Sequence, residues 1–127
     1  MLFRSGTVEE LTKGVDSKEK TTFYGAYSFL IETLLEWKPS LQIIICTTPQ
    51  GFYDNIHPTR YSEVSNAVRQ IAMYYSIPLA DIFAKCGVNK VNLSTYSDDL
   101  IHYNVRGNER IASVIINAMK ESYLNNN

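Results

Sequence analysis

An aspartate and a histidine three residues apart, Asp99 and His102, are the pair in this chain best suited to acid–base chemistry. They precede a helical pattern, where this spacing can bring the carboxylate onto one imidazole nitrogen. The other nitrogen then faces outward as a general base, while the carboxylate fixes the tautomer and stabilises the imidazolium that forms. An isolated Asp-x-x-His has low specificity, and its alternative explanation is a turn capped by Asp98 or Asp99 beside a surface histidine.

No residue of the chain stands out as the nucleophile that such a pair would activate. Ser94 and Ser97 are close in sequence but lack the strand-to-helix elbow that exposes a catalytic serine, so we predict that they form hydrogen bonds within a loop. Cys86 ends a predicted helical turn, far from the helix N-terminus that would lower a thiol pKa. His57 is predicted to be a solvated loop histidine, and Asp81 is predicted to cap the turn after it.

Metal ions and nucleotides are not expected as cofactors. The two histidines and two cysteines are scattered without metal-ligand spacing, and we interpret Cys46 and Cys86 as free thiols. The segment 47–51 follows a predicted strand but has neither the lysine and glycine spacing of a Walker motif nor Gly-x-Gly-x-x-Gly. We therefore predict no cofactor.

The elements that must position the pair alternate between helices and strands. In chain order, we first predict a helix over 23–37 capped by Thr21 or Thr22, a strand over 41–47, a long loop over 48–60 and a helix over 61–76. These are followed by a strand over 77–82, a helical turn over 83–86 stopped by Gly87, and a loop over 88–103. The last helix is predicted to run from Asn104 or Val105 to about Tyr123, with an inward face of Ile111, Val114, Ile115, Ala118 and Met119. This order predicts an α/β fold with a parallel sheet.

Two strands are too few for such a sheet. The run Ile43-Ile44-Ile45 is too apolar for a free edge and is typical of a strand buried on both faces. Residues 1–20, predicted to be an arm or loop, offer little to cover it. We therefore expect self-association through the edge of strand 41–47 or through the N-terminal arm.

Composition excludes several classes of protein. The 127 residues fit one domain, with 45% hydrophobic and 20% charged residues and a net charge of -1. That charge gives no long-range attraction for nucleic acid. No apolar run approaches the roughly 20 residues that span a bilayer, so no transmembrane segment is expected. The compartment is left open.

The segment Asp99-Leu-Ile-His102-Tyr-Asn104-Val-Arg-Gly107 resembles the last sequence block of the SGNH, or GDSL-type, esterases and lipases. That block is an Asp-x-x-His pair, often followed by Pro-Asn, then a glycine and an apolar helix. Tyr103 stands in place of the usual proline, which leaves the pair intact and predicts a looser loop. The similarity extends diffusely over residues 20–122, through segments such as Thr21–Ala26 and Ile43–Pro49.

The resemblance implies that residues 21–127 form the C-terminal half of a three-layer, flavodoxin-like sheet, with about two core strands and three main helices. It implies ester hydrolysis by a Ser-His-Asp mechanism, with His102 as general base and Asp99 orienting it. No Gly-Asp-Ser or Gly-x-Asn-Asp block is present, so we expect a C-terminal piece of a longer acylhydrolase, inactive alone. Phe52 and Tyr53 could wall an acyl pocket, but the acyl chain and the alcohol of the ester substrate are not predicted. The alternative is a non-catalytic flavodoxin-like α/β interaction module.

Overall fold

A computed structural model describes residues 19–51 and 60–124. Its elements in chain order are α1 (Phe23–Trp37), β1 (Ile45–Cys46), α2 (Arg60–Tyr75), β2 (Leu79–Ala80), α3 (Ile82–Lys85), α4 (Leu93–Tyr96), α5 (Val105–Met119) and a π-helical turn (Lys120–Leu124). The predictions for Phe52, Tyr53 and His57, and for all but the end of the 1–20 arm, lie outside the described residues.

The predicted parallel sheet is confirmed, and its strands are short. Ile45 lies opposite Leu79 and Cys46 opposite Ala80, in parallel register. The Ile45 N–H donates to Pro78 O at 3.1 Å and the Thr47 N–H donates to Ala80 O at 3.2 Å. A strand is defined by its hydrogen bonds to a neighbouring strand. Among the described residues each strand has one neighbour, so only two residues of each predicted strand are paired and the observed strands are shorter than predicted.

Helices cover both faces of this sheet. Successive strand residues point to opposite faces, so neighbouring residues pack against different helices. Ile45 belongs to a buried cluster with residues of α1 and α2. Ile44 and Cys46 pack against a second cluster, built from β2, α3, α4 and α5. The predicted α/β class is therefore confirmed, but Ile44 and Cys46 are only half-buried, contrary to a strand buried fully on both sides.

Side-chain caps fix the starts of two long helices, α1 and α5. The Thr22 hydroxyl accepts a hydrogen bond from Gly25 N at 3.1 Å, which confirms one of the two predicted caps of α1. The Asn104 side chain accepts from Gly107 N at 3.0 Å and begins α5 at the predicted position. Gly87, with φ 77°, follows the turn α3, as predicted.

Two predictions about the C-terminal third are wrong. The predicted loop 88–103 contains the helical turn α4, because Leu93 and Tyr96, three residues apart, both bury their side chains in the second cluster. Met119 was expected to face inward, yet 42% of it is exposed. Val114 and Ala118 are buried as predicted, and the helix widens into the π-helical turn directly after Met119.

Among residues 19–51 and 60–124, no helix has both the length and the apolar character needed to cross a bilayer.

Candidate active site

The predicted acid–base pair lies in the loop between α4 and α5, and the base of this loop is closed by backbone contacts. Ser97 and Tyr103 form an antiparallel bridge. Beside it, the Asn104 N–H donates to Tyr96 O at 2.7 Å. Residues 98–102 therefore form a short loop whose two ends are joined by these backbone contacts and lie next to α4 and α5.

The structure brings Asp99 and His102 together. Asp99 Oδ2 lies 2.5 Å from His102 Nδ1. The other carboxylate oxygen, Oδ1, accepts the Ile101 N–H at 2.9 Å and the His102 N–H at 2.7 Å. Leu100 adopts φ 66°, a left-handed conformation that is uncommon for leucine, and this lets the chain fold back over the carboxylate. The geometry expected for the pair is therefore present.

The charge on Asp99 is set by the same contacts. The hydrogen bond from the His102 ring, followed by those from the backbone N–H groups of His102 and Ile101, holds the pKa of Asp99 well below its usual range. The carboxylate is therefore ionised at neutral pH and acts only as an acceptor. Nδ1 must then carry the proton of the shared bond, which leaves the Nε2 lone pair of the neutral ring free.

The imidazole is open to solvent, with 83% of the His102 side chain exposed. No hydroxyl or thiol of the described residues forms a hydrogen bond with Nε2. Cys86 is buried in the second cluster, and Cys46 of β1 is half-buried against the same cluster. Burial raises the pKa of the Cys46 thiol and makes it a poor nucleophile. Among the described residues, His102 is therefore held by a carboxylate at Nδ1 and has no hydroxyl or thiol partner at Nε2.

Ser97 contacts the pair from the buried base of the loop. Its side chain is 1% exposed, and its hydroxyl donates to His102 O at 2.7 Å while lying 3.2 Å from Asp99 Oδ1. The prediction of a hydrogen-bonding loop serine is confirmed for Ser97. Ser94 lies on α4 and is exposed, so its predicted loop position is wrong.

Tyr103 anchors the loop in a way that the sequence did not reveal. Its hydroxyl donates to Gln50 O at 2.7 Å, which joins the loop to the segment after β1. Burial raises the pKa of this phenol. A Cβ added at Gly107 would lie 2.9 Å from Tyr103 Cβ and 2.8 Å from Tyr96 O, so this close approach requires glycine. The loop expected to be loosened by loss of a proline has this tether instead.

A second polar centre lies at the carboxyl ends of the two strands. Arg69 of α2 binds Asp81 through two hydrogen bonds, Nε to Oδ2 at 2.8 Å and Nη2 to Oδ1 at 2.9 Å. Asp81 Oδ1 also accepts the Thr47 hydroxyl at 3.0 Å and the Ala84 N–H at 3.3 Å. The predicted cap by Asp81 is confirmed, but the carboxylate also joins β1, β2, α2 and α3.

Desolvation opposes ionisation of Asp81, yet the bonds from Arg69, Thr47 and the Ala84 N–H outweigh it, so the pKa of Asp81 is lowered. The hydrogen bond to Asp81 raises the pKa of Arg69 against the opposing effect of desolvation. Both carboxylate oxygens are occupied, so this centre has a structural role. In the described part of the chain, no cluster of three or more His, Cys, Asp or Glu side chains could hold a metal ion.

No protein-family model matches this chain, and no curated protein matches it. Two solved structures share its fold. One is a protein from Lactobacillus plantarum, a target of the Northeast Structural Genomics consortium, with a TM-score of 0.75 and 21% identity over 85% of this chain and 58% of that one. The other has a TM-score of 0.71 and 22% identity over 92% of this chain and 62% of that one. The chain therefore spans about three fifths of the length of each, and the likeness extends to the fold alone.

Proposed function

We propose that this chain supplies the general-base end of an SGNH-type hydrolase that cleaves carboxylic esters by a Ser-His-Asp mechanism. The observation that carries the proposal is the 2.5 Å contact between His102 Nδ1 and Asp99 Oδ2 on an exposed imidazole. A carboxylate that holds one ring nitrogen while the other is accessible is the arrangement that acyl-transfer chemistry requires.

In this mechanism His102 Nε2 takes the proton of a serine hydroxyl as the serine oxygen attacks the ester carbonyl. The imidazolium then returns that proton to the leaving alcohol, and the acyl-enzyme forms. In the second half, Nε2 takes a proton from water as the water oxygen attacks the acyl carbonyl, and the imidazolium gives that proton to the serine oxygen as the acid leaves. Asp99 stays ionised throughout and stabilises the imidazolium. Serine and oxyanion donors come from sequence outside these 127 residues, so this chain alone should be inactive.

The incomplete sheet supports the same proposal at the level of the fold. Two described strands carry helices on both faces, and both similar solved structures are longer chains. We assign these strands to the C-terminal half of a three-layer, flavodoxin-like sheet. The remaining strands would lie beside β1 and bring the serine to the carboxyl ends of the strands, where open α/β sheets place their sites.

The accessible surface of the chain includes apolar side chains on both sides of the two-stranded sheet. Ile44 and Cys46 are half-buried, and Phe29 and Leu30 on α1 are 47% and 44% exposed. We propose that in the isolated chain a second copy covers this surface, since the edge of one strand offers the hydrogen-bonding groups that another edge needs. Multi-angle light scattering should detect a dimer or higher oligomer; a monomer at high concentration contradicts this assembly.

The second candidate is a non-catalytic α/β interaction module, favoured by the lack of a hydroxyl or thiol partner for His102 among the described residues. The coding sequence upstream of Met1 separates the two. A Gly-Asp-Ser-like motif followed by Gly-x-Asn-Asp supports the hydrolase, while a stop codon without them supports the module.

The direct test is hydrolysis of a short-chain p-nitrophenyl ester by this chain and by a protein extended with the coding sequence upstream of Met1. The longer protein should turn over the ester, and His102→Ala should reduce kcat by about 10³-fold or more. The 127-residue chain should match buffer. Turnover by the short chain that disappears in His102→Ala would show that it contains a nucleophile and would contradict this division of roles.

A further inference from the structure

We propose that Ser97 is a positioning residue that keeps the His102 imidazole in contact with the Asp99 carboxylate. Its importance for ester cleavage rests on the proposed function, whereas its effect on the orientation of the imidazole follows from contacts in this chain alone. Ser97 does not touch Nε2 or a substrate atom, so any effect on chemistry passes through the pair.

The position of Ser97 is fixed independently of the pair. Its backbone is extended, with φ -154° and ψ 133°, and bridges Tyr103 in antiparallel fashion. Its side chain is 1% exposed, which places the hydroxyl on the closed side of the loop. Since water has little access to this side chain, the hydroxyl must find its partners within the protein.

Those partners are both members of the pair. The hydroxyl has a single proton, and the 2.7 Å distance to His102 O makes that carbonyl its main acceptor. Asp99 Oδ1, at 3.2 Å, receives the weaker share. One buried group therefore contacts the main chain of the histidine and the carboxylate at the same time, and sets the distance between them.

Loss of this hydroxyl should loosen the coupling between ring and carboxylate. Asp99 Oδ1 would keep the backbone N–H groups of Ile101 and His102, so the carboxylate stays in place. The His102 carbonyl would lose its buried donor, and the residue could rotate away from Oδ2. Histidine would then exchange the Nδ1–H tautomer for the Nε2–H tautomer, which carries no lone pair at the outward nitrogen.

Long-range ¹H–¹⁵N spectra of the uniformly labelled chain test this, because the two ring nitrogen shifts of neutral His102 report its tautomer ratio. In wild type the Nδ1–H form should dominate. In Ser97→Ala the ratio of Nδ1–H to Nε2–H should fall about fivefold, the effect expected for one hydrogen bond. Ser94→Ala, the same change at an exposed site on α4, should leave the ratio at the wild-type value.

A conservative variant separates positioning from general damage to the loop. Ser97→Thr keeps the hydroxyl and suits an extended backbone, so it should restore most of the wild-type ratio. If Ser97→Ala does not fold, Ser97→Cys, which keeps a weaker donor, replaces it. The tautomer ratio of Ser97→Cys should then lie below those of wild type and Ser97→Thr.

Equal tautomer ratios in wild type, Ser97→Ala and Ser94→Ala would overturn the proposal, as would a Ser97→Thr variant no better than alanine. None of these outcomes depends on ester turnover. A failure here is therefore distinguishable from a failure of the proposed hydrolase function, which would leave the spectra unchanged.

Discussion

Two aspartates of this chain bind a basic partner, and they do so in opposite ways. Asp81 lies between four elements and uses both carboxylate oxygens, with Arg69 in a bidentate contact and Thr47 and the Ala84 N–H as further donors. Asp99 lies on an exposed loop and directs one oxygen to backbone N–H groups and the other to His102.

The contrast shows what separates a structural ion pair from one suited to acid–base chemistry: whether the basic partner can exchange a proton through an atom that the carboxylate does not bind. The Arg69 guanidinium cannot give up its proton in a protein, so the pair with Asp81 fixes positions and nothing more. An imidazole can accept a proton at one ring nitrogen and later return it, and 83% of the His102 side chain is exposed. Both aspartates have a lowered pKa, so that property alone does not distinguish them.

The largest expected difference between the two aspartates is in the rate of reaction. In the serine-containing hydrolase proposed above, Asp99→Asn should lower kcat by about 10³- to 10⁴-fold, because the amide no longer fixes the tautomer or stabilises the imidazolium. Asp98→Asn, at the exposed neighbouring position, is the matched control and should retain the wild-type rate. Steady-state ester hydrolysis measures both, and equal rates in the two variants would remove the chemical role of Asp99.

The second expected difference is in stability. Asp81→Asn should lower the free energy of unfolding by about 2 kcal/mol, since the amide keeps the helix cap but leaves the Arg69 guanidinium without its charged partner. Asp98→Asn should change it by less than about 0.5 kcal/mol. Urea denaturation followed by circular dichroism gives both values. An Asp81→Asn variant as stable as Asp98→Asn would show that the Arg69 contact contributes no net stability.

Acid should reduce the difference between wild type and Asp81→Asn. The pKa of Asp81 is lower in the folded chain than the usual value of about 3.9 in an unfolded one. The unfolded chain therefore binds more protons in the acid range, and stability falls as pH drops through that range. The stabilisation by Asp81 should be constant above about pH 5 and decline below about pH 4.

Denaturation midpoints from pH 7 to pH 2.5 for wild type and Asp81→Asn measure this dependence. Asp99 is present in both proteins and cancels in the difference. Two curves that stay parallel down to pH 2.5 would mean that Asp81 has an ordinary pKa in the folded chain.

The smallest of these effects concerns the tether of the loop. Tyr103→Phe removes the hydrogen bond to Gln50 O and should cost about 1 kcal/mol of unfolding free energy. Tyr74→Phe, at a tyrosine that is 52% exposed, is the control and should cost little. Amide exchange of the loop residues should accelerate in Tyr103→Phe alone. Unchanged exchange there would show that the bridge between Ser97 and Tyr103 is sufficient to hold the loop.

The sequence predicted the three long helices, the parallel order of the strands and the contact between Asp99 and His102. The helices and the Asp99–His102 contact depend on residues within a few positions of each other, as in the caps by Thr22 and Asn104. The parallel order followed from the alternation of helices and strands along the chain. Asp81 shows where such prediction stops, because its cap is local whereas Arg69 is 12 residues away.

Long-range contacts account for the remaining differences. The bond from Tyr103 to Gln50 spans 53 residues, and no periodicity encodes it. The helical turn at Leu93–Tyr96 forms because tertiary burial stabilises a segment too short to be helical by itself. The role proposed for Ser97 could have been suspected from its position two residues before Asp99, but its burial is visible only in the fold.

The protonation of the His102 ring tests the central claim most directly. In long-range ¹H–¹⁵N spectra of the neutral ring, wild type should show the proton on Nδ1, held by Asp99 Oδ2, and a free lone pair on Nε2. Asp99→Asn should lose this preference, while Asp98→Asn should keep it. A wild-type ring protonated mainly on Nε2, with the same ratio in Asp99→Asn, would contradict the assignment of this pair as the general-base end of a hydrolase.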